Sequence, residues 1–183
     1  MNELNFIKLR KIACDFYNNA NCKYDNKEYI FHADMVTDII KEHKNIFINQ
    51  NDFDVTYISG FFHDLIEDAK LSYNNILAES NKDVADIVLS VTDVPGENRL
   101  MRHLLTMPKT VKDYRAIVLK LCDIHANASY SKANGTSMYK KYVEEYSYRK
   151  PIFRKALTWY YDEFINKDEA LLLWNELDEI HLK

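Results

Sequence analysis

The sequence predicts an all-α protein, and three observations carry that reading. Only three Gly and three Pro punctuate 183 residues, which leaves little material for tight hairpins. Leu, Lys, Glu and Ile are abundant, and apolar residues recur three and four positions apart in segment after segment. No strand pair is signalled. A chain of this length fits one domain with a substantial core, built from about eight to ten helices.

Taken in order, Leu9, Ala13, Phe16 and Ala20 line a first helix that gives way to the polar run Asn18 to Asn26. A second helix starts near Ile30 or Phe31 and runs to about His43, with Met35, Val36, Ile39 and Ile40 on its apolar face and His32 in its opening turn. His43 sits among charged residues and reads as surface. Asn51 or Asp52 can cap a third helix. Val55, Ile58, Phe62, Leu65, Ile66 and Ala69 give it a core face. Its other face carries His63, Asp64, Glu67 and Asp68, with His63 stacked over Glu67 and Asp64 over Asp68.

Ser72 caps a short fourth helix to about Glu79, and Asn81 or Lys82 opens a fifth with Val84, Ile87, Val88 and Val91 inward. Pro95-Gly96 marks a loop, after which a sixth helix runs from about Asn98 to Met107 and stops at Pro108. Thr110 with Asp113 can cap a seventh helix around the apolar run Ala116 to Asn127. Gly135 breaks the chain, and Thr136 or Ser137 caps an eighth helix with Tyr139, Tyr142, Val143 and Tyr146 as core or groove lining, Tyr142 being taken as a substrate contact. A ninth helix opens at Pro151 and includes Tyr160 and Phe164; Asp168 caps a last one with Ala170, Leu173, Leu177 and Ile180 buried.

The formal net charge of −4, with both signs interspersed, gives no footprint for nucleic acid or an anionic membrane. Cys14, Cys22 and Cys122 are odd in number and lack a metal-binding spacing, so they read as buried thiols of a reducing compartment. Met1 to Cys14 offers no signal-peptide core, and no apolar run is long enough to span a bilayer. A soluble, cytoplasmic protein is expected, with homo-oligomerisation left open.

An aspartate that closes a run as apolar as Ala116 to Cys122 needs a cation, a metal or several donors, because an unpaired buried carboxylate is costly. Asp123 thus joins His32, His63 and Asp64 as a donor set for one divalent ion, its mixed nitrogen and oxygen atoms suiting Mn²⁺, Fe²⁺ or Zn²⁺. Glu67 and Asp68 lie one turn beyond His63 and Asp64, close enough to orient a water without binding the ion. Taken singly, each residue also fits a structural role, as a packed histidine or a solvated acidic face. Their joint occurrence favours a metal site.

The strings Tyr29-Ile30-Phe31-His32, His63-Asp64-Leu65-Ile66-Glu67-Asp68, Val91-Thr92-Asp93 and Lys120-Leu121-Cys122-Asp123-Ile124-His125-Ala126-Asn127 resemble, in order and spacing, the HD-domain metal-dependent phosphohydrolases of the RelA/SpoT hydrolase type. The resemblance spans about residues 10 to 160. With no synthetase segment following, it is to a stand-alone small alarmone hydrolase. It implies a helical HD fold and Mn²⁺-dependent removal of the 3′-pyrophosphate of guanosine tetra- or pentaphosphate, with other divalent ions, including Mg²⁺, as substitutes. By position it implies His32, His63, Asp64 and Asp123 as metal ligands and Glu67 and Asp68 as the pair that activates or positions water. It places Asn127 near the sugar, Arg99 at phosphate, and Lys23 or Lys27 in place of the family's basic entry residues. His32-Ala33 replaces the family's His-Pro, the entry motif is thinned to Cys22-Lys23-Tyr24, and Pro95-Gly96 is an addition. These departures leave open another nucleotide, such as an adenosine alarmone or a nucleoside monophosphate, or a non-catalytic nucleotide-binding role.

Overall fold

Helices α1 (Glu3–Asn19), α2 (Ile30–Glu42), α3 (Gln50–Phe62), α4 (Tyr73–Glu79), α5 (Lys82–Val91), α6 (Arg99–Thr110), α7 (Tyr114–Ala133), α8 (Met138–Leu157) and α9 (Lys167–Leu182) make up the all-α architecture among the described residues. The computed structural model describes residues 3–182, with side chains from residue 5 onward; Met1 and Asn2, part of the segment searched for a leader, lie outside them. No helix among them is long and apolar enough to cross a membrane.

α2 packs most extensively on α3 and on α7, and α7 also carries α8 and α9 on its other sides. The core between them holds Ile40, Ile58, Phe62, Leu65, Ile87, Ile117 and Leu119, all essentially inaccessible. The α2–α3 approach depends on Gly60. A Cβ there would lie 2.7 Å from Thr37 Cγ2 and 3.2 Å from Ile40 Cδ1. Gly60→Ala is therefore expected to lower stability by about 1–2 kcal/mol, the overpacking penalty exceeding the gain in helix propensity. A denaturant melt checks this, and a variant as stable as wild type would contradict it.

Several boundaries depart from the sequence expectation, each for a physical reason. A two-stranded hairpin, β1 (Lys23–Tyr24) and β2 (Lys27–Glu28), occupies the segment in which no strand was signalled. Two residues per strand leave no alternation to detect, and Asp25 takes the left-handed turn at φ 55°. The cap of α3 is Asn49, whose side chain accepts from Asp52 N, and neither Asn51 nor Asp52 is the cap. α3 ends at Phe62, so His63 to Ala69 form successive turns and no continuous helix. Lys70, at φ 59°, closes them as Leu71 N reaches back to Leu65 O at 3.1 Å.

α6 does not stop at Pro108. Val111 N bonds Met107 O at 3.0 Å and Thr110 Oγ1 bonds Ser90 O at 2.8 Å, which holds a last turn beyond the proline. Thr110 thus belongs to α6, and Asp113 alone caps α7. Pro151 likewise lies inside α8, fusing two expected helices. It and Ser147, whose carbonyl its ring leaves without an amide, are both exposed, so water can satisfy the carbonyl. Neither Thr136 nor Ser137 caps α8 with its side chain.

After α8 the chain turns aside through Tyr160 and Phe164. Its backbone pairs with the segment before α3, Asn166 N donating to Ile46 O at 2.8 Å. Asn166 then receives the amides of Asp168 and Glu169, so it opens α9 in place of Asp168. On α9, His181 takes a buried position and Ile180 is half-buried. Ser72 and Asn81 cap α4 and α5 as expected. Cys122 is buried, but Cys14 and Cys22 are only half-buried; all three thiols are free. His43, expected at the surface, is buried and bonds Glu176 of α9 at 3.0 Å.

Candidate metal centre

The end of α3 orients its histidine. His63 is the residue after the helix, and its Nδ1 donates to Gly60 O at 2.8 Å, one of the carbonyls that the helix end frees. Nε2 is thereby left as a lone pair pointing inward. There it lies 2.9 Å from Asp64 Oδ2 and 3.7 Å from Asp123 Oδ1, buried and with no hydrogen-bond partner. From the first turn of α2, His32 Nε2 reaches Asp123 Oδ1 at 3.2 Å and Asp64 Oδ2 at 3.6 Å. Ligand atoms of His32, His63 and Asp123 all lie within 4.8 Å of one another. Asp64 closes the fourth side, fixed by Tyr29 Oη, which donates to Oδ2 at 2.6 Å. Burial, then Asp64, hold the Tyr29 phenol far above its usual range, so it remains a donor.

The residues present fit a divalent cation. Two carboxylates facing two buried imidazole nitrogens need positive charge among them. Without an ion, protons supply it. Burial pulls the His63 imidazole down, but Asp64 and Asp123 outweigh it and hold it well above its ordinary value, and burial raises Asp64 while His63 and His32 hold it far below. Asp123 behaves as Asp64 does, with Lys120 the largest lowering influence. A divalent ion would replace those protons, and the two-nitrogen, two-oxygen donor set matches Mn²⁺, Fe²⁺ or Zn²⁺.

Asp123 also connects the cluster to a cavity. Its Oδ2 pairs with Lys120 Nζ at 2.9 Å, and its Oδ1 accepts from Asn127 Nδ2 at 2.6 Å. Both partners lie on its own face of α7, one turn back and one turn on. Asn127 in turn accepts from Tyr24 Oη at 3.0 Å, while the Tyr24 ring stacks on His32 with centroids 4.6 Å apart. Beside Asp123 a polar cavity of about 100 Å³ is lined by Glu67, Arg99, Lys120, Asn127, Tyr142 and Arg149, among others. A second, mostly apolar cavity of about 270 Å³ lies against Tyr24, Tyr130 and Met138, with Tyr142 shared between the two.

The acids predicted as a pair separate in space. Glu67 lines the polar cavity and accepts from Asp93 N, whereas Asp68 is not among that cavity's lining residues; its neighbours include Tyr29 and Asp64. They do not share a helix face, because α3 has ended. Burial, chiefly, holds both carboxyls above the usual range; Asp64 adds to it, and Lys120 for Glu67 and Tyr29 for Asp68 oppose it. Arg99 lines the cavity with its guanidinium on Glu145. Lys23 and Lys27 line neither cavity: both are exposed on the hairpin, and Lys27 Nζ rests 3.6 Å over the Phe31 ring.

The fold has a counterpart among solved structures. The chain has the fold of a metazoan ortholog of SpoT. The two match with a TM-score of 0.67 over 98% of this chain and 95% of that one, at 18% sequence identity. That SpoT ortholog hydrolyzes ppGpp and plays a role in starvation responses. No family model matches the sequence. The all-α fold expected from the sequence is thus present and shared with that protein, with His32, His63, Asp64 and Asp123 gathered at one point of it.

Sequence reasoning missed Tyr24, Tyr29, Lys120, His103 and Arg149 as site residues. Lys120 had a signal, being three residues before Asp123 on the same face. On α8, Tyr142, Glu145, Tyr146 and Arg149 form one stripe with helical spacing, and all four line the polar cavity. Arg149 donates to His103 Nε2. Burial first, then the Arg149 and Arg99 charges, push His103 down to about 2, so it remains a neutral acceptor.

The Glu67 shift carries a pH prediction. A carboxyl raised on folding binds its proton more tightly in the native state, so its contribution to stability is present below the unfolded value of about 4.3 and lost as pH rises through the folded value. In chelated protein, Glu67→Gln should therefore melt at a higher temperature than wild type at pH 7, and the difference should vanish below about pH 4. Identical melting temperatures at pH 7 would contradict the burial of this charge.

Proposed function

We propose that the chain is a Mn²⁺-dependent cytoplasmic phosphohydrolase that removes the 3′-pyrophosphate of guanosine tetra- or pentaphosphate, giving GDP or GTP and pyrophosphate. The observation that carries the reading is the continuity from the buried His32, His63 and Asp123 cluster, with Asp64 against both histidines, through Asp123, into a cavity where the carboxylates Glu67, Asp93 and Glu145 stand beside the cations Lys120, Arg99 and Arg149. The ion, when bound, polarises a phosphoryl oxygen and makes water acidic enough to react near neutral pH.

The rest is done by the chain. Glu67, its carboxyl raised by burial, orients the attacking water and takes its proton. Asp68 supports the Tyr29 and Asp64 side of the centre. The bond between the ribose 3′-oxygen and its phosphorus breaks, the water oxygen joins the departing pyrophosphate, and a proton passes to the 3′-oxygen. Lys120, Arg99 and Arg149 offset the charge that develops on the phosphates. Tyr142 is shared by the polar cavity and the second one, and Asn127 of the polar cavity bonds Tyr24 of the second, where a nucleoside can lie against Tyr24 and Tyr130. The ligand in this reading is the small-molecule nucleotide.

Guanosine is assigned from the motif resemblance and from the shared fold with a SpoT ortholog that hydrolyzes ppGpp. A panel of guanosine and adenosine nucleotides, each with and without a 3′-pyrophosphate, tests it on Mn²⁺-loaded protein. The guanosine 3′-pyrophosphates should turn over fastest. Faster turnover of an adenosine alarmone or a monophosphate would replace this reading with another HD phosphohydrolase.

A further inference from the structure

On the flank of α2 and α7 away from the polar cavity, two more histidines converge on one carboxylate. His43 Nε2, at the end of α2, lies 3.0 Å from Glu176 Oε2, and His125 Nε2, on α7, lies 3.3 Å from the same oxygen. His43 is buried, while Glu176 on α9 is about half exposed at 47% and able to swing. The other ring nitrogen of His125 faces Ser129 Oγ at 3.4 Å, which directs Nε2 toward Glu176. An open cavity of about 420 Å³ adjoins His43 and Glu176. It is lined also by Glu42, Glu169 and Glu179, and no Lys or Arg lines it.

We infer that His43, His125 and Glu176 form a second divalent-metal site, of a two-imidazole, one-carboxylate type that suits Zn²⁺. Three elements distant in sequence deliver nitrogen and oxygen donors to one point, two of them already aimed by Nε2. The Glu176 oxygen now lies between the two rings, 3.0 and 3.3 Å from their Nε2 atoms; for an ion to take its place Glu176 rotates outward and the rings close in by about 1 Å to reach Zn–N bonds of about 2.0–2.1 Å. Water or a neighbouring carboxylate of the cavity completes a tetrahedral shell. The ion would pin α9 to the two helices that carry His32 and Asp123, since His43 lies eleven residues after His32 and His125 two after Asp123. The site is structural, and it stands whether or not the proposed hydrolase reading does.

The test uses the full chain, stripped with chelator, titrated with Zn²⁺ and desalted before metal analysis. Wild type should retain one ion more than Glu176→Gln, a variant that keeps the side chain's shape. An Asp64→Asn background, which weakens the first centre, should still retain one ion, and adding Glu176→Gln or His43→Asn should remove it. Zn²⁺ should also raise the melting temperature of the Asp64→Asn protein but not of the double variant. Equal ion content in wild type and a folded Glu176→Gln protein, or a Zn²⁺ effect that survives the double substitution, would overturn the site and leave Glu176 as a hydrogen-bond acceptor only.

Discussion

Asp64→Ala should lose its divalent ion on desalting and turn over the 3′-pyrophosphate substrate at least about 1000-fold more slowly, the equivalent of several kcal/mol of transition-state stabilisation. Asp64 Oδ2 is the nearest carboxylate atom to His63 Nε2, at 2.9 Å, and it is the acceptor of the Tyr29 hydroxyl. Its removal takes away an anionic ligand and the nearer acceptor of the half-buried Tyr29 hydroxyl, which keeps Asp68 as a neighbour, at about 1 kcal/mol of stability. Asp64→Asn retains the shape and an acceptor for Tyr29, which separates the two effects. Both variants should lose metal and rate, but Asn should keep most of the stability. A folded Asp64→Asn protein with wild-type ion content and rate would remove Asp64 from the centre.

Glu67→Ala should behave differently. Glu67 touches no ligand atom of the cluster; it lines the cavity and accepts from Asp93 N. The variant should therefore bind Mn²⁺ as tightly as wild type while kcat falls by about 100-fold or more, the usual range for loss of a positioned general base. A KM that stays within a few-fold of wild type would place the loss in the chemical step. Full rate in a Mn²⁺-binding Glu67→Ala protein would exclude the role given to this carboxylate.

The helical class and most helix positions were legible in the sequence because burial follows the three-and-four pattern of Val84, Ile87, Val88 and Val91 on α5 and its equivalents elsewhere. What stayed hidden has identifiable causes. Beyond Phe62 the turns from His63 to Ala69 keep bonds such as Asp68 N to Asp64 O at 2.8 Å, so Leu65 continues a helical pattern after the helix has ended. Pro108 was read as a stop and Pro151 as the start of a new helix, but tertiary bonds hold one terminal turn and solvent reaches the other break. At the site, His32 and Asp123 could be singled out by residue type, as a charge closing an apolar run. Arg149 could not, because the tyrosines beside it gave the α8 stripe the look of a core face. The approach of His43 to Glu176, 133 residues apart, leaves no local trace at all.

The most direct test of the account is a product analysis. Chelator-stripped protein is reloaded with Mn²⁺, its ion content measured, and guanosine tetraphosphate added, with released phosphorus species resolved over time. The account predicts GDP and pyrophosphate in equal amounts, dependent on the ion and lost in Asp64→Asn. Orthophosphate as the first product, or no product over hours from protein shown to hold both ion and nucleotide, would contradict it.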